Sequence, residues 1–232
     1  MFKFIRSLIT LAYAGELIPL DILSGGQVAA AGGGEDMFDK MIAGKWLPRL
    51  QLMTANSTKC KSGEFPMNHW ALIVGTTYAD LGKEPDLLVL GYRFKALDTS
   101  GENIISNYDP QSVEWAKIVD LADNTKDSGC MYGPEFLVYI PSQKKFASFL
   151  MGSKSARREA PDVRARVGKA ATLSCRLAEK GKNSWMVPIC KQCSTPFDLP
   201  DIAEVQDQIM KFKNPPAQEI ESAPADTSGR ER

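Results

Sequence analysis

The sequence predicts an α+β fold dominated by strands: a small antiparallel, barrel-like sheet accompanied by two or three helices. Three observations carry this. Short apolar or alternating runs, each bounded by Gly, Pro, Asn or Asp, recur through the middle of the chain, as strands require. Two pairs of these runs are separated by short polar connections that read as hairpins. Helical periodicity is confined to a few segments and does not alternate with the strands, which argues against a parallel sheet.

Taken in order, the strand signals are residues 46–53 (WLPRLQLM), 69–75 (HWALIVG) and 86–96 (DLLVLGYRFKA). Residues 135–140 and 145–151 flank Pro141-Ser142-Gln143-Lys144, a hairpin connection. Residues 170–177 and 184–190 flank the polar turn Glu179-Lys180-Gly181-Lys182-Asn183 and form a second hairpin. Gly129 to Pro134 reads as a tight turn leading into a strand, its glycines permitting close backbone approach. Asp109-Pro110 starts a helix over 112–121 with Val113, Ala116, Ile118 and Leu121 on its buried side. Residues 153–167 have helical character that Pro161 should break or restart. Ile202, Val205, Ile209 and Phe212 recur at helical spacing, so 200–213 should be a closing amphipathic helix.

A chain of 232 residues, with 44% hydrophobic and 24% charged residues, fits one domain with appended ends. The globular domain is expected over residues 37–213. Residues 1–36 form an N-terminal extension ending in a Gly/Ala-rich linker (SGGQVAAAGGG), and 214–232 a Pro-containing acidic tail too poor in apolar residues to order. Within the extension, Lys3 and Arg6 precede an apolar run, and Ala12-Tyr13-Ala14 before Gly15 has the form of a signal-peptidase site. An amphipathic helix with Phe4, Leu8 and Leu11 on one face is the plainer reading. No run reaches the roughly 20 apolar residues a membrane-spanning helix needs. The five cysteines have no framework spacing, which points to a reducing, cytoplasmic setting.

Net charge is zero, with 28 basic and 28 acidic residues, which excludes a protein that coats DNA through a basic surface all over. The distribution is uneven. Between Lys144 and Lys191 stand twelve basic and three acidic residues, whereas residues 80–135 hold five basic and eleven acidic ones. A basic stretch of this kind attracts a polyanion and releases counterions on binding. It carries aromatic residues, whose faces can stack on unpaired bases. The expected nucleic-acid-binding residues are Lys145, Phe146, Phe149, Lys154, Arg157, Arg158, Arg164, Arg166, Lys169 and Trp185. Phe146 and Phe149 have opposite parity on one strand and cannot share a face, so at least one belongs to the core.

Enzyme signatures are missing from the sequence, and neither a catalytic residue nor a cofactor is assigned. His69 is the sole histidine, and its place beside Trp70 at a strand start fits a structural, hydrogen-bonded role. There is no nucleophile elbow and no Gly-x-x-x-x-Gly-Lys-Ser/Thr loop. Cys190 and Cys193 form a Cys-x-x-Cys, but no second pair at metal-ligand spacing accompanies it.

Trp46-Leu47-Pro48-Arg49, the run from Asp127 to Phe136 (DSGCMYGPEF) and the run from Phe146 to Ala160 (FASFLMGSKSARREA) together resemble a family of bacteriophage-encoded proteins. These proteins are associated with replication and recombination modules, and the resemblance covers residues 37–215. The strand count, the basic-aromatic stretch and the tail are also similar to phage single-stranded DNA-binding proteins of the OB type. The resemblance implies an OB-like barrel, single-stranded DNA as ligand, phage replication proteins as partners, no membrane partner, and the host cytoplasm as location. The tail departs from that pattern, ending Gly229-Arg230-Glu231-Arg232 without a dense acidic terminus, which counts against partner recruitment by the tail. The other function class is a phage structural or morphogenesis protein that uses the same patch as a protein interface.

Overall fold

A computed structural model of the chain describes residues 10–13, 16–19, 47–101, 103–193, 196–215 and 218–222. The strands are β1 (Thr10–Tyr13), β2 (Glu16–Pro19), β3 (Arg49–Leu52), β4 (Trp70–Val74), β5 (Thr77–Asp80) and β6 (Asp86–Asp98). They continue with β7 (Asn103–Asn107), β8 (Cys130–Ile140), β9 (Lys145–Leu150), β10 (Lys169–Lys180), β11 (Asn183–Gln192) and β12 (Gln218–Ser222). The helices are α1 (Thr58–Lys61), α2 (Val113–Asn124), α3 (Lys154–Arg164) and α4 (Ile202–Lys213). One ten-stranded sheet runs β11-β10-β6-β8-β9-β3-β4-β5, with β7 joined to the far half of β6 and β12 to β7. Every neighbouring pair is antiparallel except β3 and β9. The expected class holds: the fold is α+β and strand-dominated, a curled half-barrel consistent with an OB-like arrangement.

Two long strands, β6 and β8, form the centre, and the alternation of β8 explains why both faces of the sheet are dry. Phe136, Val138 and Ile140 point into one cluster, capped by Ala156, Ala160 and Val163 of α3. Leu137 and Tyr139 point the other way, toward Val205, Ile209 and Phe212 of α4. A strand buried on both faces must be apolar at every position, and residues 136–140 meet that requirement. The β6–β8 register shifts between Val89 and Gly91, and such a bulge bends a strand and increases its twist.

Both expected hairpins are present, β8–β9 and β10–β11, as is the closing helix, α4. Ser153 caps α3 through a bond from the Ala156 N–H, and the helix continues through Pro161 to Arg164. Pro161 therefore does not break it. α2 turns inward only part of the side expected: Ile118 is buried, but Val113 is 80% exposed, Ala116 is exposed, and Trp115 is buried instead. The large indole wins the inward position, resting with Ile118 on Ala96. Gly129 to Pro134 is likewise corrected, since β8 already begins at Cys130. Glycine is required at position 133, where a Cβ would lie 2.3 Å from the Met151 carbonyl oxygen. The close approach expected there serves internal packing.

Two expectations for the ends change. Thr10–Tyr13 pairs with Glu16–Pro19 as antiparallel strands, so Thr10 and Leu11 of the expected amphipathic helix are extended, while Phe4 and Leu8 lie outside the described residues. Gln218–Ser222 pairs with β7 within the segment expected to lack structure. An exposed strand edge offers a row of unpaired N–H and C=O groups, which can recruit a segment of any composition. The Gly/Ala-rich linker and residues 223–232 lie outside the described residues. Among the described residues no helix is long and apolar enough to cross a membrane.

Candidate functional site

The basic cluster of residues 153–169 is dispersed by the helix that carries it. At 100° per residue, Ala156, Ala160 and Val163 form the buried stripe of α3, and the cations fall on three different sides of it. Lys154 and Arg158 lie one turn apart on the outer face, and both are exposed. Arg157 and Arg164 lie on the flank toward β6 and β8. Arg166, past the helix end, lies close enough to Cys190 of β11 to act on its thiol, and its Nε is buried without a hydrogen-bond partner among the described residues. Lys169 is exposed at the start of β10, opposite Val89.

Arg157 is a structural clamp. Its Nη1 donates to the carbonyls of Gly152 at 2.9 Å and Tyr132 at 3.2 Å, and its Nη2 to the Asp123 carboxylate at 2.7 Å. Its guanidinium also lies 3.8 Å from the centre of the Tyr132 ring. The Tyr132 hydroxyl donates to the second Asp123 oxygen at 2.6 Å, closing the network. That bond, followed by Arg157, holds the Asp123 carboxyl below its ordinary range, and the same bond raises the Tyr132 hydroxyl. A guanidinium with this many partners is not available to a phosphate, so Arg157 leaves the binding set. Arg164 has its guanidinium 4.7 Å from the Tyr92 ring centre and remains exposed.

Phe146 and Phe149 also leave the set, being only 7% and 4% exposed. Their opposite parity sends them to the two opposite cores. Phe149 meets Trp70 edge-on at 5.3 Å, and Phe146 packs on Tyr139 at 5.2 Å. The sequence reading allowed one of them to be exposed, but the sheet is covered on both faces and neither is. Lys145 stays exposed at the first position of β9.

What remains is an arm. β10 pairs with β6 from Lys169 to Thr172 and Leu173 still donates to the Pro85 carbonyl, so residues 174–180 and 183–189 are the part paired through their backbones with each other alone. Direct cross-strand partners share a face, as do residues two apart. Trp185 is opposite Ala178, and Arg176 and Lys180 flank Ala178, so all three side chains share one face of the arm. Trp185 is 38% exposed, Lys180 and Lys182 are exposed, and Gly181 takes a positive φ of 63° at the tip. The arm is tied to α3 by Arg176 Nη2, which donates to Glu159 at 2.5 Å. It is tied to the loop before β6 by Ser174 and Lys191, which both reach Glu84.

The sequence separates acidic 80–135 from basic 144–191, and the fold brings parts of them back together. Asp123 meets Arg157 and Glu84 meets Lys191. A second charged network lies under α4: Glu135, 2% exposed, accepts from Arg93 Nε at 2.7 Å and Lys95 Nζ at 3.3 Å. Arg93 also donates to the Phe212 carbonyl at 2.7 Å, so it binds the last turn of α4 to the sheet. Cys190 is half-buried, and burial pushes its thiol up to about 11, a setting for an inert thiol rather than a nucleophile. No group of three metal-capable side chains occurs among the described residues. His69 Nδ1 lies 3.0 Å from both oxygens of Asp80, which matches the structural role expected for it.

Sequence reasoning passed over three aromatic residues that the fold gathers on the α3 side of the sheet: Tyr92, Phe94 and Tyr132. The alternation Tyr92-Arg93-Phe94-Lys95 was a usable signal, because it places two rings on one face and two cations on the other. Comparison with known proteins returns no match to a family model, to a curated protein or to a solved structure.

Proposed function

We propose that this protein binds single-stranded DNA without catalysing a reaction on it, through the outer face of α3 and the β10–β11 arm. The observation that carries the reading is the arm itself, where the indole of Trp185 shares an exposed face with Lys180, which has no ion pair among the described residues, and with Arg176, whose ion pair to Glu159 leaves its side chain 53% exposed. A flat ring beside cations that can meet phosphates is the combination that holds unpaired bases. Lys154, Arg158 and Lys182, all exposed, extend the positive surface. Phosphate contacts would supply most of the affinity, and Trp185 would supply the preference for a strand whose bases are unstacked. The setting in phage replication or recombination rests on the resemblance over residues 37–215.

The test is fluorescence anisotropy with labelled single- and double-stranded oligonucleotides, of DNA and RNA, at low and moderate salt. Tighter binding of single strands, weakening steeply with salt, is the expected result. No binding to any oligonucleotide at low salt would overturn the reading. One observation favours a protein interface instead: Leu177, on the opposite face of the arm from Trp185, is 56% exposed. Under that reading Leu177→Asp would abolish an assembly and leave DNA binding absent throughout.

A further inference from the structure

We infer that Phe94 is a second platform for a nucleobase, on the far side of α3 from the arm; this rests on the reading above. Tyr92, Phe94 and Ala96 share a face of β6, and Tyr132 lies directly across from Ala96 on β8. Tyr92, Phe94 and Tyr132 therefore form a row. Each outer ring carries a guanidinium from α3, Arg164 over Tyr92 and Arg157 over Tyr132. The middle ring has no such cover. Phe94 meets Tyr92 edge-on at 6.3 Å and is 49% exposed, among the most exposed aromatic side chains described.

A second observation opens the same place from the side. β10 pairs with β6 at 86–89 and β7 pairs with it at 96–98, so among the described residues Leu90 to Lys95 has a strand on the β8 side only. Phe94 thus sits at a notch in the sheet rather than under a neighbouring strand. An occupant of this slot must be flat, to lie against the uncovered Phe94 ring, and must tolerate the positive charge of Arg164. A nucleobase with its phosphate toward Arg164 meets both conditions. The guanidinium of Arg157 is already neutralised by Asp123, so it frames the slot without contributing free charge. With Trp185 on the arm and Phe94 beyond Arg164, one strand crossing the exposed outer face of α3 would meet cations between two aromatic platforms.

The experiment measures anisotropy of labelled oligo(dT) with the parent, Phe94→Ala, Phe94→Trp and Trp185→Ala, together with ultraviolet cross-linking of oligo(dT) to the unmodified parent. If Phe94 stacks on a base, Phe94→Ala weakens binding of a long oligonucleotide roughly 5- to 100-fold with the salt slope unchanged, and Phe94→Trp retains it. Cross-linking then marks the peptide containing Phe94, a result that does not depend on how any variant folds. If the parent binds but Phe94→Ala binds equally well and no cross-link maps to β6, this inference fails and the function stands. If the parent binds no oligonucleotide, both fail.

Discussion

Arg157 and Arg158 are neighbours on one helix and do opposite things. Arg157 is held by two carbonyls, a carboxylate and an aromatic ring, 18% exposed, and joins α3 to β8 and to the end of α2. Arg158 points outward with no such partners. The same division holds between larger regions. In the body of the sheet, cations are spent on the fold, as Arg93 and Lys95 are on Glu135. On the β10–β11 arm, Lys180 and Lys182 face solvent beside an exposed indole. A basic stretch in a sequence is thus a mixture of two populations. Helical angle separates Arg158 from Arg157, and partners in the fold separate Arg157 from the exposed Arg164 on the same flank; the unclamped population is the one that can serve a ligand.

This division is broken most severely in the body. Glu135→Ala leaves Arg93 and Lys95 without their carboxylate at a buried site, and should lower stability by about 3–5 kcal/mol. Urea unfolding followed by circular dichroism measures it, and a loss under 1 kcal/mol would mean the network is dispensable. Arg157→Ala removes ion-pair, hydrogen-bond and ring contacts at one position and should lower stability by about 2 kcal/mol. Arg158→Ala should leave stability within about 0.5 kcal/mol of the parent. Equal effects at the two positions would erase the distinction between clamp and surface. On the arm, Trp185→Ala should weaken single-strand binding by about 1–3 kcal/mol with little change in its salt dependence, because stacking releases no ions.

A smaller effect should separate the clamp by pH. The Asp123 carboxyl is depressed in the folded protein, chiefly by the Tyr132 hydroxyl and then by Arg157. A depressed folded value means that the unfolded chain takes up its proton first as pH falls. The contribution of Asp123 is therefore fully present above the ordinary aspartate value, about 3.9, and is lost as pH drops through the lower folded value. The stability difference between the parent and Asp123→Asn should be constant near neutrality and shrink below about pH 4. A difference that stays constant into the acid range would show that the carboxylate charge plays no part in the clamp.

The elements that local chemistry dictates were legible in the sequence. Both hairpins follow from polar turns between alternating runs, and α4 follows from Ile202, Val205, Ile209 and Phe212 at helical spacing, of which all but Ile202 are buried. Short strands such as Thr77–Asp80 and Asn103–Asn107 were not legible, because four or five residues carry too little periodicity and form only by pairing with a neighbour. The inward side of α2 was misread because Val113 and Trp115 compete for it, and only the space above Ala96 decides between them. The candidate site was legible in part. Trp185, Lys154 and Arg158 remain in it, since exposure of a hairpin tip and of a helix's outer face is a local property. The loss of Arg157 was not foreseeable, because its carboxylate, Asp123, lies 34 residues away. Nor was the burial of both phenylalanines, which depends on α3 and α4 covering opposite faces of one sheet.

If the exposed Lys154 and Arg158 of α3 meet a polyanion and the clamped Arg157 does not, a salt titration shows it most directly. Anisotropy of a labelled oligo(dT) should be followed from about 50 to 200 mM salt for the parent, for Lys154→Ala combined with Arg158→Ala, and for Arg157→Ala. The double variant should bind more weakly and flatten the logarithmic salt slope by about 1.4, since each phosphate contact on a single strand contributes about 0.7. Arg157→Ala, in its folded fraction, should keep the slope of the parent. A double variant that binds with the parent's affinity and slope would contradict the account, and so would an Arg157→Ala variant whose slope flattens as the double variant's was predicted to.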